Sequence, residues 1–359
     1  MKKEILRMAA GLDISKDSIY VCIKHQDNST AVSIKGTRNF TNTPKGIEAL
    51  TKYLQKKLLA NVPHIVVLEA TGVYYENVAY YLSDLAYNLT VILPKRSAYF
   101  AKSDNQKTKN DKEDSKMLAQ MGIEKFGTLS RWVTPSPQMR ELRQLVRYRA
   151  QLVKHRSQFK QQLHALNHSY KPFPPVVEGQ NAHVKYLDEQ VAEIEKAIEI
   201  CVKKDESLFK RLTNVCTING IGLISVATVI AETYGFTLFS SIPQLVSYAG
   251  YDVVENQSGN RAGKTKISKK GNSRIRAALH FPALCAVKNE PNIKAFYERI
   301  YKKNPKIKMI GYVAVQRKLL VLIYTLYRKN VRYDPLYEQQ KEQNALNKSR
   351  QSANPAYTA

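Results

Sequence analysis

Four carboxylates in the first third of this chain have the residue types and settings of a metal site. Asp111 and Asp114 are three residues apart in "KNDKEDSKMLA", so on a helix they share one face. Asp13 interrupts the apolar segment "AAGLDIS", and Glu69 ends another, "VVLEATG". A carboxylate within an apolar strand is costly unless it is paired or bound to a cation. Four such oxygen donors suit one or two Mg²⁺ ions that also bind phosphate oxygens.

The acidic pair has a simpler explanation when it is taken alone. Asp111 and Asp114 also fit the acidic first turn that a helix dipole favours. The two further carboxylates, Asp13 and Glu69, favour the metal site over that explanation, provided that the fold brings all four together.

A hydroxyl group beside a run of cations is the second candidate site. Ser258 lies in the polar turn "NQSGN", and seven Lys or Arg with no acid lie between Arg261 and Arg276. A serine beside a glycine in a loop is usually only a turn residue. The cations that follow it favour phosphate binding. The predicted contacts to nucleic acid here are Arg261, Lys264, Lys266, Lys269, Lys270 and Arg274.

Two further patterns are compatible with nucleic-acid contact. "TINGIGLISVATV" resembles a helix-hairpin-helix, in which Gly220 and Gly222 would let backbone N–H groups approach a phosphate; the alternative is an ordinary interhelical turn. A basic ridge along one predicted helix is formed by Arg140, Arg143, Arg147 and Lys154, and a solvated helix face explains that ridge equally well.

The charge of the whole chain indicates a polyanionic partner. With 56 Lys and Arg against 30 Asp and Glu, the net charge is +26, far more than solubility requires. The rival partner is an anionic membrane, but no apolar run approaches the roughly 20 residues of a span. The four cysteines form no CxxC pair, so the sequence suggests neither a zinc site nor a disulfide framework. We therefore predict a cytoplasmic protein without membrane contact.

The order of predicted elements indicates the fold of the first domain, residues 1–130. Three strands over residues 5–36 are followed by a helix at 43–60 with Thr43 as N-cap, a strand at 64–70, a helix at 74–87 and a strand at 89–94. A meander followed by right-handed crossovers is the order of a ribonuclease H-like domain. In that sheet the first and fourth strands are parallel neighbours, so Asp13 and Glu69 would converge.

Helices dominate the rest of the chain. Residues 138–205 have coiled-coil spacing, with Leu145, Leu152, Phe159 and Leu166 seven residues apart. A second seam is formed by Val184, Leu187, Val191, Ile194, Ile198 and Cys201. Residues 206–333 form a mostly helical C-terminal domain that contains the helix-hairpin-helix, and the polar tail 338–359 is predicted to be disordered. The fold class is therefore α/β plus α.

These motifs together resemble the DEDD transposases named after insertion sequence 110. The similar blocks are "GLDISKD", "LEATGVYYE" and "KNDKEDSKMLA", then "INGIGLISVATVIAE", "FSSIPQLVSYAGYDVVENQSGN" and "KISKKGNSRIRAALHFPA". They cover most of residues 5–120 and 212–290 in the family's order. The resemblance implies that a RuvC-like domain binds Mg²⁺ through Asp13, Glu69, Asp111 and Asp114, and that Ser258 attacks DNA to form a transient phosphoserine bond.

The resemblance also implies partners. Members of the family act as dimers or tetramers whose coiled coils pair protomers, and a structured RNA encoded beside the gene guides them to DNA. Two other functions fit parts of the sequence. In a metal-only nuclease of the junction-resolvase type, Ser258 would be a turn residue. In a non-catalytic nucleic-acid-binding protein, the carboxylates would only cap helices. A protein–DNA adduct separates the transposase from the nuclease, and Mg²⁺ dependence separates both from the binding protein.

Overall fold

The computed structural model of the chain describes residues 4–103, 110–237, 239, 241–254, 257–258, 261–262, 266–303 and 305–337. The tail predicted to be disordered, residues 338–359, lies outside these ranges. The chain divides into two units, Met1–Thr134 and Pro135–Ala359.

A five-stranded mixed sheet forms the first unit. Its strands are β1 (Ile5–Ile14), β2 (Ser18–Asp27), β3 (Val32–Thr41), β4 (His64–Glu69) and β5 (Leu89–Ile92), in the spatial order β3-β2-β1-β4-β5. The first three strands are antiparallel, whereas β1 with β4 and β4 with β5 are parallel. This topology confirms the ribonuclease H-like prediction. The third strand continues to Thr41, because it pairs with β2 along its whole length.

Helices cover both faces of this sheet. They are α1 (Pro44–Lys57), α2 (Glu76–Asp84), α3 (Pro94–Ser103) and α4 (Asp111–Glu124). Thr43 caps α1 as predicted, since its side chain accepts a hydrogen bond from Gly46 N at 3.2 Å. The side chains of Met8 and Leu12 pack with α1 and α2 on one face, and Ala9 packs with α4 on the other. Alternate residues of β1 thus serve two separate apolar clusters.

Two glycines allow α4 to lie directly on the sheet. A Cβ on Gly11 of β1 would stand 2.2 Å from Ala119 N and from Ser115 O of α4. A Cβ on Gly122 of α4 would stand 2.7 Å from the Cβ of Ala9. Any larger side chain at these positions would force helix and sheet apart, so the missing Cβ atoms set the height of α4 above β1.

The second unit begins with a hairpin of two long helices, α5 (Pro137–Asn167) and α6 (Pro174–Lys203). Leu152, Leu187 and Val191 are buried between them, and the ring of Phe159 stacks on His183 at a centroid distance of 5.1 Å. Part of the predicted coiled-coil seam is therefore buried within one chain, whereas Leu166, Val184 and Ile194 remain partly exposed. The pairing of protomers through these helices stays a prediction.

Within its described residues, the second unit has seven shorter helices: α7 (Glu206–Val215), α8 (Leu223–Glu232), α9 (Ile242–Ala249), α10 (Ser273–Ala278), α11 (His280–Asn289), α12 (Pro291–Lys303) and α13 (Lys308–Lys329). They share one core with the base of the hairpin, where Leu142, Val146, Ile198 and Cys201 are buried. The connector and the C-terminal domain that the sequence separated at residue 205 thus have a common core.

Two short antiparallel ladders, together called the ribbon below, lie between α9 and α10. The strand β6 (Val253–Val254) pairs with β9 (Lys266–Ile267), and β7 (Gln257–Ser258) pairs with β8 (Arg261–Ala262). The two ladders follow each other along the same pair of segments.

The helix α13 has the length and hydropathy of a membrane span, with 22 residues and a mean hydropathy of 1.4. The expectation that no apolar run approaches this length was therefore wrong for α13. The side chains of Val315, Leu319, Leu320 and Ile323 are fully buried in the core of the second unit, which accounts for the apolar composition.

Candidate active site

The strand register places Asp13 and Glu69 side by side. The last register pair of β1 and β4 is Leu12 with Leu68, and each carboxylate follows its member of that pair. Side chains alternate along a strand, so Asp13 points to the same face as Gly11. That face is the one against which α4 packs. The convergence predicted for these two carboxylates follows from this register.

The first turn of α4 supplies the other two carboxylates. Asn110 caps the helix, since its side chain accepts a hydrogen bond from Glu113 N at 2.9 Å. Asp111 and Asp114 then lie in the first turn, which α4 holds above the ends of β1 and β4. The acidic first turn and the convergence of carboxylates are both present, so the two explanations of this pair are compatible.

The pKa of Asp13 shows how close the four carboxylates are in electrostatic terms. Burial and the negative charges of Asp111, Asp114 and Glu69 raise it from 3.8 to about 7. Without a cation to offset these charges, Asp13 therefore loses its proton around neutral pH instead of near pH 4.

The chemistry of this donor set fits a hard divalent cation. All the donors are carboxylate oxygens, which Mg²⁺ prefers over nitrogen and sulfur. Among the residues that the structure describes, no three His, Cys, Asp or Glu side chains are already grouped closely enough to hold a metal ion. The four carboxylates lie at one end of the sheet, where the register of β1 and β4 and the first turn of α4 place them.

A buried serine orients Glu69, and the sequence analysis missed it. The Ser97 hydroxyl donates a hydrogen bond to Glu69 Oε2, and the Thr71 hydroxyl donates one to Oε1 at 3.4 Å. Ser97 is only 2% exposed and lies in the first turn of α3, which follows β5. Because β5 is parallel to β4, with Ile92 beside Glu69, the following helix starts next to the carboxylate. The sequence offered one signal for this contact, namely a helix that starts directly after β5, the strand beside β4.

Ser258 lies on the ribbon of the second unit. In β7 it pairs with Arg261 of β8, and Gln257 pairs with Ala262. The side chains of Ser258 and Arg261, and the whole of Lys264, lie outside the described part of the structure. The backbone register places the serine directly across the ribbon from the first residue of the basic stretch.

Hydrogen bonds fix the end of the ribbon to α9. Ser268 N donates to Asp252 O at 2.8 Å, Lys269 N donates to Gly250 O at 3.1 Å, and Asn272 N donates to Tyr248 O at 2.7 Å. Four cations of the predicted contact set are exposed around this point, namely Lys266, Lys269, Lys270 and Arg274. They form a positive surface at the base of the serine-bearing ribbon.

Two arginines of the basic ridge on α5 contact a buried glutamate. The guanidinium of Arg147 donates two hydrogen bonds to the buried Glu232, at 2.7 and 2.9 Å, and Asn272 donates a third at 2.9 Å. Burial would raise the pKa of Glu232, but these donors outweigh burial and lower it. Arg143 bonds the Tyr234 hydroxyl and lies 4.0 Å from Glu232. Arg143 and Arg147 are thus internal partners of a buried charge, whereas Arg140 is exposed.

The two glycines of the helix-hairpin-helix have different surroundings. Gly220 has a φ of +95°, and a Cβ there would stand 2.6 Å from Ala286 N of α11, so packing explains this glycine. Gly222 is the N-cap of α8 and has open space around its Cα. Only Gly222 therefore offers room for a phosphate at a helix N-terminus.

Two family models match successive parts of this chain. The DEDD transposase model for IS110 matches residues 10–172, and the model described as Transposase IS116/IS110/IS902 family matches residues 212–298. The pilin gene-inverting protein of Moraxella bovis is 26% identical over 331 residues, which cover 90% of this chain and 97% of that protein. The protein of the same description from Moraxella lacunata has the same identity and coverage.

Two of the similar solved structures correspond to about a third of the chain. The Thermus thermophilus RuvC structure has a TM-score of 0.29 and 10% identity, over 35% of this chain and 99% of that one. The fowlpox virus Holliday junction resolvase has a TM-score of 0.26 and 19% identity, over 33% and 99%. At these TM-scores the similarities add nothing to the fold assignment, which rests on the strand order of the sheet.

Proposed function

Because the chain belongs to the IS110 family of transposases, we propose that it cuts and exchanges DNA strands through a covalent serine–DNA intermediate. Family membership makes it a transposase or recombinase that acts on DNA. The pilin gene-inverting relatives, named for inverting a gene, support DNA rearrangement as the outcome. The observation that carries the proposal is the convergence of Asp13, Glu69, Asp111 and Asp114, which the raised pKa of Asp13 reflects.

The proposed covalent step is a transesterification at Ser258. Its hydroxyl oxygen forms a bond to a DNA phosphorus, the phosphorus–oxygen bond to the adjoining nucleotide breaks, and the departing deoxyribose oxygen ends as a hydroxyl with the proton that serine lost. The phosphodiester energy is kept in the serine ester. Attack by the hydroxyl of another strand then reverses the step and joins that strand without ATP.

The carboxylates have a separate role in this proposal. Asp13, Glu69, Asp111 and Asp114 would hold Mg²⁺, which when bound would neutralise phosphate charge. Ser97 holds Glu69 in one orientation. The exposed Lys266, Lys269, Lys270 and Arg274 bind phosphates that flank the serine, with Arg140 and the open N-terminus at Gly222 as further contacts. Arg261 and Lys264 are retained on sequence grounds.

Two partners belong to the proposal on the strength of the family resemblance. The first is a structured RNA that guides the protein to its DNA sites, and the net charge of +26 supports a second polyanion beside DNA. The second is a further copy of the chain, in a dimer or tetramer. The packing of α5 on α6 within one chain leaves the outer faces of these helices for a contact between copies. The reaction takes place in the cytoplasm, where the DNA is.

The test is a plasmid that carries the whole element with its flanking DNA, so that any RNA it encodes is present. We expect Ser258→Ala to bind DNA as the wild type does and to lose both cleavage and strand exchange, a drop of at least about 10³-fold. The wild type, trapped on a nicked substrate with Mg²⁺, should give a protein–DNA adduct, and peptide mapping should find the phosphate on Ser258. The neighbouring Ser268→Ala is the matched control and should keep the adduct.

Other outcomes identify the rival functions. If Ser258→Ala cleaves at the wild-type rate and no adduct forms, the protein is a metal-only nuclease of the junction-resolvase type. If neither protein cleaves DNA with any divalent cation, it is a nucleic-acid-binding protein without catalysis.

A further inference from the structure

The loop that follows Glu69 exposes apolar side chains beside the carboxylates. Val73 is 61% exposed and Tyr74 is 44% exposed, although both precede a helix whose Val78 and Leu82 are fully buried. Gly72 has a φ of +59°, and this left-handed conformation begins the turn. The loop thus turns away from the core and carries two large apolar groups into solvent.

Hydrogen bonds fix this loop next to the end of β1. Thr71 N donates to Glu69 O at 2.9 Å, and Glu76 N donates to Val73 O at 3.1 Å. The side-chain nitrogen of Asn42 reaches Ser15 O at 2.9 Å and Tyr74 O at 3.1 Å. Since one nitrogen reaches both oxygens, they lie within about 6 Å of each other. Ser15 is two residues beyond Asp13, so Tyr74 lies close to the strand end that carries the carboxylates.

The position of this pair defines its ligand. A DNA phosphate held at the carboxylates brings its own base and the neighbouring base to the surface around them. Aromatic rings bind such bases by stacking, whatever the sequence, because every base has a π face. An exposed tyrosine whose backbone is held by a hydrogen bond, with an apolar neighbour, can offer this contact.

We propose that Val73 and Tyr74 form a nucleobase-binding site that stacks on the base next to the phosphate at the carboxylates. This inference rests on the proposed function for the position of the DNA, but not on the serine chemistry. The contact supplies a hold on the DNA strand that is independent of charge, and it orients that strand at the carboxylates.

The test measures binding in place of cleavage. The full chain with Ser258→Ala is titrated, with Mg²⁺ present, into DNA of the element end that carries 2-aminopurine beside the cleaved phosphate. We expect the fluorescence of 2-aminopurine to be quenched by stacking. Tyr74→Ala should remove the quenching and weaken binding about 5- to 150-fold, and Tyr74→Phe should keep both. The matched control is Tyr81→Ala, at a tyrosine of α2 that is 39% exposed.

Three results would overturn the inference. The first is Tyr74→Ala with wild-type affinity and quenching, while its thermal melt is unchanged. The second is an equal loss in Tyr81→Ala, which would indicate a general surface effect. The third is a Tyr74→Ala protein whose molecular mass in light scattering changes while its quenching does not. The loop would then be a contact with a second copy of the chain. If DNA stacks on Tyr74 and no serine adduct ever forms, the serine mechanism fails and this inference stands.

Discussion

Asp13 is the residue at which the electrostatics of the first unit are concentrated. Its carboxyl is largely buried, and three other carboxylates act on it, so its pKa is about 7 in the absence of a cation. A group whose pKa is raised on folding contributes stability below its unfolded pKa. That contribution is lost as the pH rises through the folded value. Without metal, the stability of this unit should therefore decline between about pH 4 and pH 7.

The first prediction concerns Asp13→Asn, which removes this titration. In EDTA at pH 8 we expect the free energy of unfolding of the variant to exceed that of the wild type by about 1–2 kcal/mol. This value is smaller than the full pKa shift would give, because solvent partly screens the charges around Asp13. At pH 4 the difference should vanish. Added Mg²⁺ should stabilise the wild type only. Urea titrations at pH 4, 6 and 8 measure all three. The prediction would be contradicted if the free energies of unfolding of variant and wild type differed by the same amount at pH 4 and at pH 8.

The second prediction concerns Ser97, whose hydroxyl orients Glu69. Ser97→Ala should weaken divalent-cation binding about 10- to 100-fold, the usual effect of losing a group that orients a metal ligand. The cation concentration that gives half of the thermal stabilisation measures this affinity without any activity assay. Ser103→Ala is the control, since its hydroxyl bonds Phe100 O at the other end of α3. Equal cation affinities in the two variants would remove Ser97 from the site.

At the scale of elements, the contact between α4 and β1 determines whether the carboxylates meet. Asp13 belongs to a strand and Asp111 with Asp114 to a helix, so their distance depends on how closely the helix packs. The missing Cβ of Gly11 permits that approach. A backbone contact of this kind cannot adjust as a flexible side chain would.

The third prediction follows from that contact. Gly11→Ala should displace α4 and lower the free energy of unfolding by about 1–3 kcal/mol through overpacking. It should also reduce strand exchange, because Asp111 and Asp114 move away from Asp13. Gly127→Ala is the matched control, because nothing lies within 4 Å of a Cβ built at Gly127. Thermal melts and the plasmid assay test both variants. A stable and fully active Gly11→Ala protein would show that α4 can be moved without consequence.

At the scale of the whole molecule, the long hairpin raises the question of how copies of the chain meet. Its seam is closed by its own two helices, and ion pairs such as Arg149 with Glu195 at 2.6 Å reinforce that closure. Large apolar side chains are exposed near its turn, namely Tyr170, Phe173 and Val176. The two helices therefore stabilise the hairpin within one chain, and these exposed groups are available for a contact between copies.

The fourth prediction tests whether the seam of the hairpin stabilises a single chain or joins two copies. Val191→Asp buries a charge in the seam and should lower the stability of the second unit by about 3 kcal/mol or more. Ala192→Asp, at the exposed neighbouring position, should have little effect. Circular dichroism melts measure stability, and light scattering measures the mass. If Val191→Asp lowers the mass while the melt is unchanged, the seam joins copies after all.

Much of the first unit could be predicted from the sequence, and less of the second. The alternation of apolar residues placed the strands, and Thr43 before Pro44 marked the start of α1. The Glu232–Arg147 pair escaped prediction, because it joins positions 85 residues apart and no local period connects them. The Ser97–Glu69 bond escaped for a similar reason, since it depends on which strand lies beside β4.

The sequence by itself determined which residues share a face. A strand period of two puts Asp13 on the face of Gly11, and a helix puts Asp111 and Asp114 on one turn, because backbone geometry decides both locally. Only the tertiary structure decided what each face meets. It gave Arg147 to a buried glutamate and the hairpin seam to its own partner helix. Such pairings depend on the free energy of burying surfaces that are distant in the chain, which local sequence patterns do not contain.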